Sequence, residues 1–170
     1  AKDRKDILTG SIEKSISSNQ GVAEMHSIVF SEITIPWEPD LMEKWMKEFY
    51  AKWMSIPYKK DRKEYKEHPE NFGTSMLGID EEEFDHLNQT LDTPVSKNDF
   101  LAGKVCIVYR NGVELADKDL IGKTVTCTLY RNLKKSKSFT VSGVTDDSYY
   151  TALLGYPPTL IVSDQVVKAF

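Results

Sequence analysis

Between Gly78 and Phe170 the chain alternates short apolar runs with turn and cap signals, and no other stretch constrains the fold as much. Gly78-Ile79-Asp80 ends one strand. Glu81-Glu82-Glu83-Phe84 then opens a helix that Asp80 can cap, with Glu83 at the third position and Phe84, Leu87 and Leu91 as its buried stripe. Val105–Tyr109 is continuously apolar, which predicts a strand covered on both faces. A short apolar helix around Leu115, Leu120 and Ile121 is stopped by Gly122. Residues 125–130 and 139–144 read as strands flanking the polar segment 131–138, a hairpin. Residues 160–162 form a short core strand, and Asp164 caps a last helix bearing Val166, Val167 and Phe170. Strands thus interleave with helices. The expected fold class is α+β: one mixed β-sheet with helices mainly on one face, plus a hairpin.

The N-terminal part is less regular. Leu8, Ile12 and Ile16 recur at four-residue spacing, which predicts a thin helical stripe ended by Ser18-Asn19-Gln20-Gly21. Residues 1–20 are therefore expected to be a stalk-like helix, and residues 21–170 a single domain. Residues 25–35 read as a strand with a register break near Ser31-Glu32. Asp40, with Glu43 three residues on, has the pattern of a capping box. The helix after it carries two apolar columns: Leu41, Trp45, Phe49 and Trp53, beside Met42, Met46, Tyr50 and Met54. Its broad face predicts a core helix lying on a sheet. Residues 58–71 read as a loop or a frayed helix, residues 72–79 as a strand, and residues 93–103 as a loop.

A chain of 170 residues suits one domain with a sizeable core. Ala1 in place of an initiator Met reads as a processed or excised piece. No apolar run approaches the ~20 residues that span a bilayer. The net charge of −4, from 22 basic and 26 acidic residues well mixed, argues against a nucleic-acid binder. Cys106 and Cys127 sit in apolar strand patterns, where a thiol behaves as a small buried hydrophobe. They are expected in neighbouring strands, and the sequence leaves open whether they pair.

Motifs that would carry chemistry are weak. Gly122-Lys123-Thr124 invites a phosphate-loop reading, but Asp117 stands where the first Gly is needed and the following residues are strand-like. His26, His68 and His86 lie in three different elements without metal-ligand spacing, and each reads as an ordinary histidine. Asn88-Gln89-Thr90 matches a glycosylation acceptor but falls inside a helix. The expectation is no enzyme, no catalytic residue, no cofactor and no metal. Basic residues on polar segments, Lys59, Lys60, Arg62, Arg131, Lys134 and Lys135, are the candidate partner surface.

The order of pieces in the last 95 or so residues resembles the extracytoplasmic core domain of FtsX-like and MacB-like ABC transporter permeases. The Gly-Ile-Asp step before Glu83-Phe84 resembles the family's strand-to-helix turn. Residues 104–109, followed by Leu115 through Gly122-Lys123-Thr124-Val125, resemble its strand, short helix and Gly-Lys turn. Phe139-Thr140-Val141-Ser142-Gly143-Val144, followed by Pro157-Pro158, resembles its Phe-x-Val-x-Gly-Val strand and Pro-containing loop. The resemblance implies a domain on the extracytoplasmic side of the cell membrane, tethered through flanking helices that this chain lacks. It implies an extracytoplasmic protein or peptide partner, and an ATP-binding subunit or domain in the full transporter that this domain does not touch. Two alternatives are a free-standing α+β ligand-binding or sensor module, needing a concave apolar pocket, and an enzyme with an unfamiliar site, needing converging titratable groups.

Overall fold

The structure is a computed structural model that describes residues 14–16, 18–21, 26, 28–35, 38–49, 51, 73–110, 112–129, 132–147 and 159–170. Strand β1 is Ile28–Thr34, and helix α1 is Pro39–Phe49. Strand β2 (Gly73–Ile79) leads into helix α2 (Glu81–Thr90) and the short helix α3 (Lys97–Leu101). Strand β3 (Val105–Tyr109) is followed by a single 3-10 turn at Asp117–Asp119. Strands β4 (Thr124–Leu129), β5 (Asn132–Thr145) and β6 (Thr159–Ser163) precede the last helix, α4 (Asp164–Ala169). Of the predicted N-terminal helix, residues 14–16 are helical and the apolar residues before them lie outside the described residues.

The six strands close into a barrel in the order β1-β2-β6-β3-β5-β4, with β4 returning to β1. This overturns the expected α+β sheet with helices on one face. The β2–β6 and β3–β5 pairs are parallel and the other four antiparallel. The pairing has a two-fold character: β1-β2-β6 and β4-β5-β3 each run antiparallel then parallel, and the two triplets join through antiparallel β1–β4 and β6–β3 seams. Alternation along a strand reveals which face is buried, but not whether the first and last strands meet, because the β1–β4 contact is far from local.

The long strand β5 makes closure possible. Its first part pairs with β4 and its last part with β3, and a bulge at Ser142 shifts the register between Cys106 and Ile107. A bulge bends a strand and sharpens its twist, which lets one strand serve two neighbours around a curved wall. The predicted hairpin loop at residues 131–138 is therefore corrected. Leu129 already pairs with Asn132, and residues 132–138 are strand. Their polarity marks a solvent-facing wall: Lys134, Lys135, Ser136 and Ser138 are exposed.

Two apolar clusters hold the molecule. Inward-facing residues from every strand fill the barrel, among them Ile33, Met76, Cys106, Val108, Cys127, Phe139, Val141 and Leu160. Trp45 and Met42 of α1 join this core, as do Val113, Leu115 and Leu120 from the β3–β4 connection, while Val166 of α4 joins it beyond the end of β6. The second cluster lies on the outer wall. There α2, α3 and their connection place Phe84, Leu87, Leu91, Val95 and Phe100 over Leu77, Ile79, Ile107, Tyr109 and Ile161. Phe84 and Phe100 stack with centroids 4.3 Å apart. β3 is thus covered on both faces, as its sequence predicts. α3 was expected to be loop, and it is a helix whose N-cap Ser96 accepts from the Asp99 amide.

Local signals were realised unevenly. Asp80 caps α2 through the Glu83 amide, 2.9 Å away, as expected. Asp40 does not cap α1, because the helix already starts at Pro39 and the Met42 amide bonds to the Glu38 carbonyl. Pro39 at the first turn lacks only an amide that a helix start leaves unused. Ser163 rather than Asp164 occupies the N-cap of α4. β1 pairs residue for residue with β2, without the expected break near Ser31.

Candidate functional site

The β1–β2 register creates the most chemically loaded spot among the described residues. Ile28 pairs with Ile79, so His26, two residues before the strand, is carried to the start of α2. Its Nδ1 lies 3.6 Å from Asp80 Oδ1 and 4.0 Å from Glu82 Oε2. Glu83 and His86 sit three apart on α2, and residues at that spacing share a helix face. The His26 and His86 rings meet edge to face with centroids 5.5 Å apart. Donor atoms of His26, Glu83 and His86 all fall within 4.8 Å of one another. Glu83 is buried, His26 half-buried and His86 exposed. Reading these histidines as isolated groups is therefore corrected. The Glu83-x-x-His86 spacing was visible in the sequence, whereas the approach of His26 depends on strand register.

The same helix start is acidic, with Glu81, Glu82 and Glu83 in its first turn. Lys97 Nζ bridges Asp85 at 2.6 Å and Glu81 at 2.8 Å. The Asp85 carboxylate, then that of Glu81, holds the Lys97 ammonium above its usual range. Asn88 locks the helix to the following loop, donating to the Val95 carbonyl and accepting from the Val95 amide at 2.7 Å. Its amide is thus engaged on both sides, which removes the glycosylation reading at Asn88 from a free side chain.

Of the sequence-predicted partner residues, Lys134 and Lys135 are exposed on β5, and Lys135 Nζ donates to the Phe170 carbonyl at 2.9 Å. Lys59, Lys60, Arg62 and Arg131, and Trp53 of the predicted helix, lie outside the described residues. Lys135 also borders a cleft of about 540 Å³ between β1 and α4, lined by Val29, Phe30, Leu129 and Phe170. Among the described residues, β1 and β4 share the pairs Ile33–Leu129 and Thr34–Thr128 beside this cleft.

The remaining motifs serve structure. Gly122 takes φ +84°, and Lys123 reaches Glu38 at 3.4 Å while Thr124 begins β4, so the Gly-Lys-Thr triplet is followed by strand, as expected. Arg110 ties the β3–β4 connection to the end of β5: its guanidinium donates to Asp117 at 2.7 Å and to Asp146 at 2.6 Å. Cys106 and Cys127 are free and buried, but β5 separates their strands, which corrects the expectation of neighbours. Burial pushes the Cys127 thiol up to about 11 and the Cys106 thiol higher still, where Cys127 adds to the effect.

Compared with known protein families, curated proteins and solved structures, the chain gives no match in any of the three. Among the described residues, no helix is long and apolar enough to cross a membrane.

Proposed function

We propose that the chain is the extracytoplasmic domain of an FtsX-like or MacB-like ABC transporter permease. In this reading it is a non-catalytic module that engages a partner or substrate outside the cell membrane and passes that engagement to the membrane and ATP-hydrolysing parts. The observation that carries the reading is the path of the chain. Ile28, the first residue of β1, pairs with Ile79, and Ile79 pairs with Ser163, the last residue of β6. The chain enters and leaves the barrel at one rim. A domain inserted between two membrane helices needs that geometry, since both connections return to the same bilayer. The apolar filling of the barrel supports recognition on the outer wall rather than in a lumen. Exposed Lys134 and Lys135 of β5, with Lys59, Lys60, Arg62 and Arg131 by sequence, are the partner-facing cations in this proposal.

The flanking sequence of the parent gene tests it. The proposal expects one membrane helix before this domain and three after, with the domain cleaved by protease added outside intact cells. Flanks without membrane helices, or protection from external protease, overturn it.

A further inference from the structure

We propose that His26, Glu83 and His86 form a binding site for one zinc-class divalent cation, which staples the segment leading into β1 onto the first turn of α2. This does not rest on the transporter reading. The donor set is two imidazoles and a carboxylate, the combination that zinc takes with an open fourth position. Zinc bonds of about 2.0–2.1 Å in a tetrahedral site put ligand atoms about 3.3 Å apart. Here the three donors already lie within 4.8 Å of one another. His86 is the exposed member of the three, so its side chain can adjust without unpacking the core.

The setting suits a cation in three further ways. Glu83 is only 7% exposed, so its backbone position is fixed by packing and by the Asp80 cap at 2.9 Å. Asp80 and Glu82 lie 3.6 and 4.0 Å from His26 Nδ1, so carboxylates stand beside that ring. The site itself carries three carboxylates, Asp80, Glu82 and Glu83. Carboxylates beside two imidazoles suit a divalent ion. The mixed nitrogen and oxygen donors favour zinc over calcium or magnesium, which prefer oxygen alone.

The site joins two parts of the chain that the sequence separates by more than fifty residues. His26 stands just before β1, at the rim where the chain enters the barrel. A bound ion fixes that segment to α2, and its loss frees it.

Titration of the full chain with Zn²⁺ by calorimetry tests the proposal, with Co²⁺ absorption reporting the ligand geometry. The expected result is one ion per chain and a rise in Tm on binding. His86→Gln and His26→Gln should each weaken binding about 100-fold or more, since outer-shell partners alone are worth roughly 10–100-fold. His86 is exposed, so that variant should keep the circular dichroism of the parent. His68→Gln, a control elsewhere in the sequence, should bind as the parent does. Binding that survives in both His26→Gln and His86→Gln, binding lost in His68→Gln, or no binding below millimolar Zn²⁺ overturns the proposal.

Discussion

Gly78→Ala adds one methyl group where β1, β2 and α4 meet. Gly78 lies in β2, paired with Val29 of β1 and Val162 of β6. A Cβ there would sit 2.6 Å from Val29 Cγ2, 2.7 Å from Asp164 Cα and 2.8 Å from Val167 Cγ2. Carbon atoms rest about 3.5–4.0 Å apart, so each contact is about 1 Å too short. Val29 and Val167 are β-branched and stiff at χ1. Asp164 Cα is backbone in the first turn of α4, and no rotamer moves it. Relief requires α4 to lift away from β2. Overpacking of this kind costs about 1–3 kcal/mol. Lifting α4 also draws Val166 out of the core, where it is 8% exposed, at a further cost of about 1 kcal/mol if its burial is partly lost. The smaller unfolded-state entropy of Ala returns about 0.4–1 kcal/mol. The net expectation is a loss of about 2–3 kcal/mol, a large part of a typical stability of roughly 5–15 kcal/mol.

Two other glycines calibrate that number. At Gly143 the added atom would meet only side chains, Val95 Cγ2 at 2.9 Å and Leu91 Cδ1 at 3.1 Å, which can yield. At Gly122 it would meet nothing within 4 Å, and only the φ of +84° opposes it, at about 1–2 kcal/mol. Urea denaturation, comparing midpoints at constant m-value, should rank Gly78→Ala as the most damaging of the three. If Gly78→Ala stays within about 0.5 kcal/mol of the parent, α4 does not dock across β2 and the packing described for that rim is wrong.

Trp45→Ala should cost about 3–5 kcal/mol in the same assay, because Trp45 is fully buried in the barrel core, and a loss under about 1 kcal/mol would place it on the surface. Stability should also fall at alkaline pH: the Cys127 thiol ionises at about 11 folded against 9.0 ordinarily, so the unfolded chain releases its proton first. That contribution is whole below pH 9 and is lost between pH 9 and 11, by about 2–3 kcal/mol, and Cys127→Ala should flatten this limb of the stability–pH curve. An unchanged slope in the variant would show that the thiol is not buried in the folded state. Under the proposed function, Lys134→Glu with Lys135→Glu should weaken partner engagement while moving the Tm little, because both lysines are exposed. A large loss of stability would instead make this pair structural.

Much of the local structure was legible in the residues. The unbroken apolar run of β3 announced a strand buried on both faces, and Cys106 inside with Ile107 outside bears that out. Asp80 and Glu83 announced the start of α2, and the Trp45 stripe announced a buried helix face. Gly122 announced a backbone break that its φ confirms. Helix α3 went unread although Ser96 and Asp99 have capping spacing, because Pro94 and Asn98 drew the segment toward loop. β5 was cut short because its lysines and serines look like a turn, while on an outer wall they simply face water. Closure and the histidine–carboxylate cluster were beyond reach for one shared reason. Both depend on which distant residues pair, Ile33 with Leu129 and Ile28 with Ile79, and a single sequence carries no direct signal of register between strands so far apart.

The β1–β4 seam is the place where a barrel and an open sheet differ, and among the described residues it holds two residue pairs. Cross-strand nuclear Overhauser contacts at those pairs measure it directly. Antiparallel partners bring their Cα atoms to within about 4.5–5.5 Å, close enough for strong backbone contacts. A closed barrel predicts contacts between Ile33 and Leu129 and between Thr34 and Thr128, together with slowed amide exchange along that stretch of β1. Contacts from β1 to β2 alone, with no cross-peaks from Ile33 or Thr34 to β4, would contradict closure and restore an open mixed sheet.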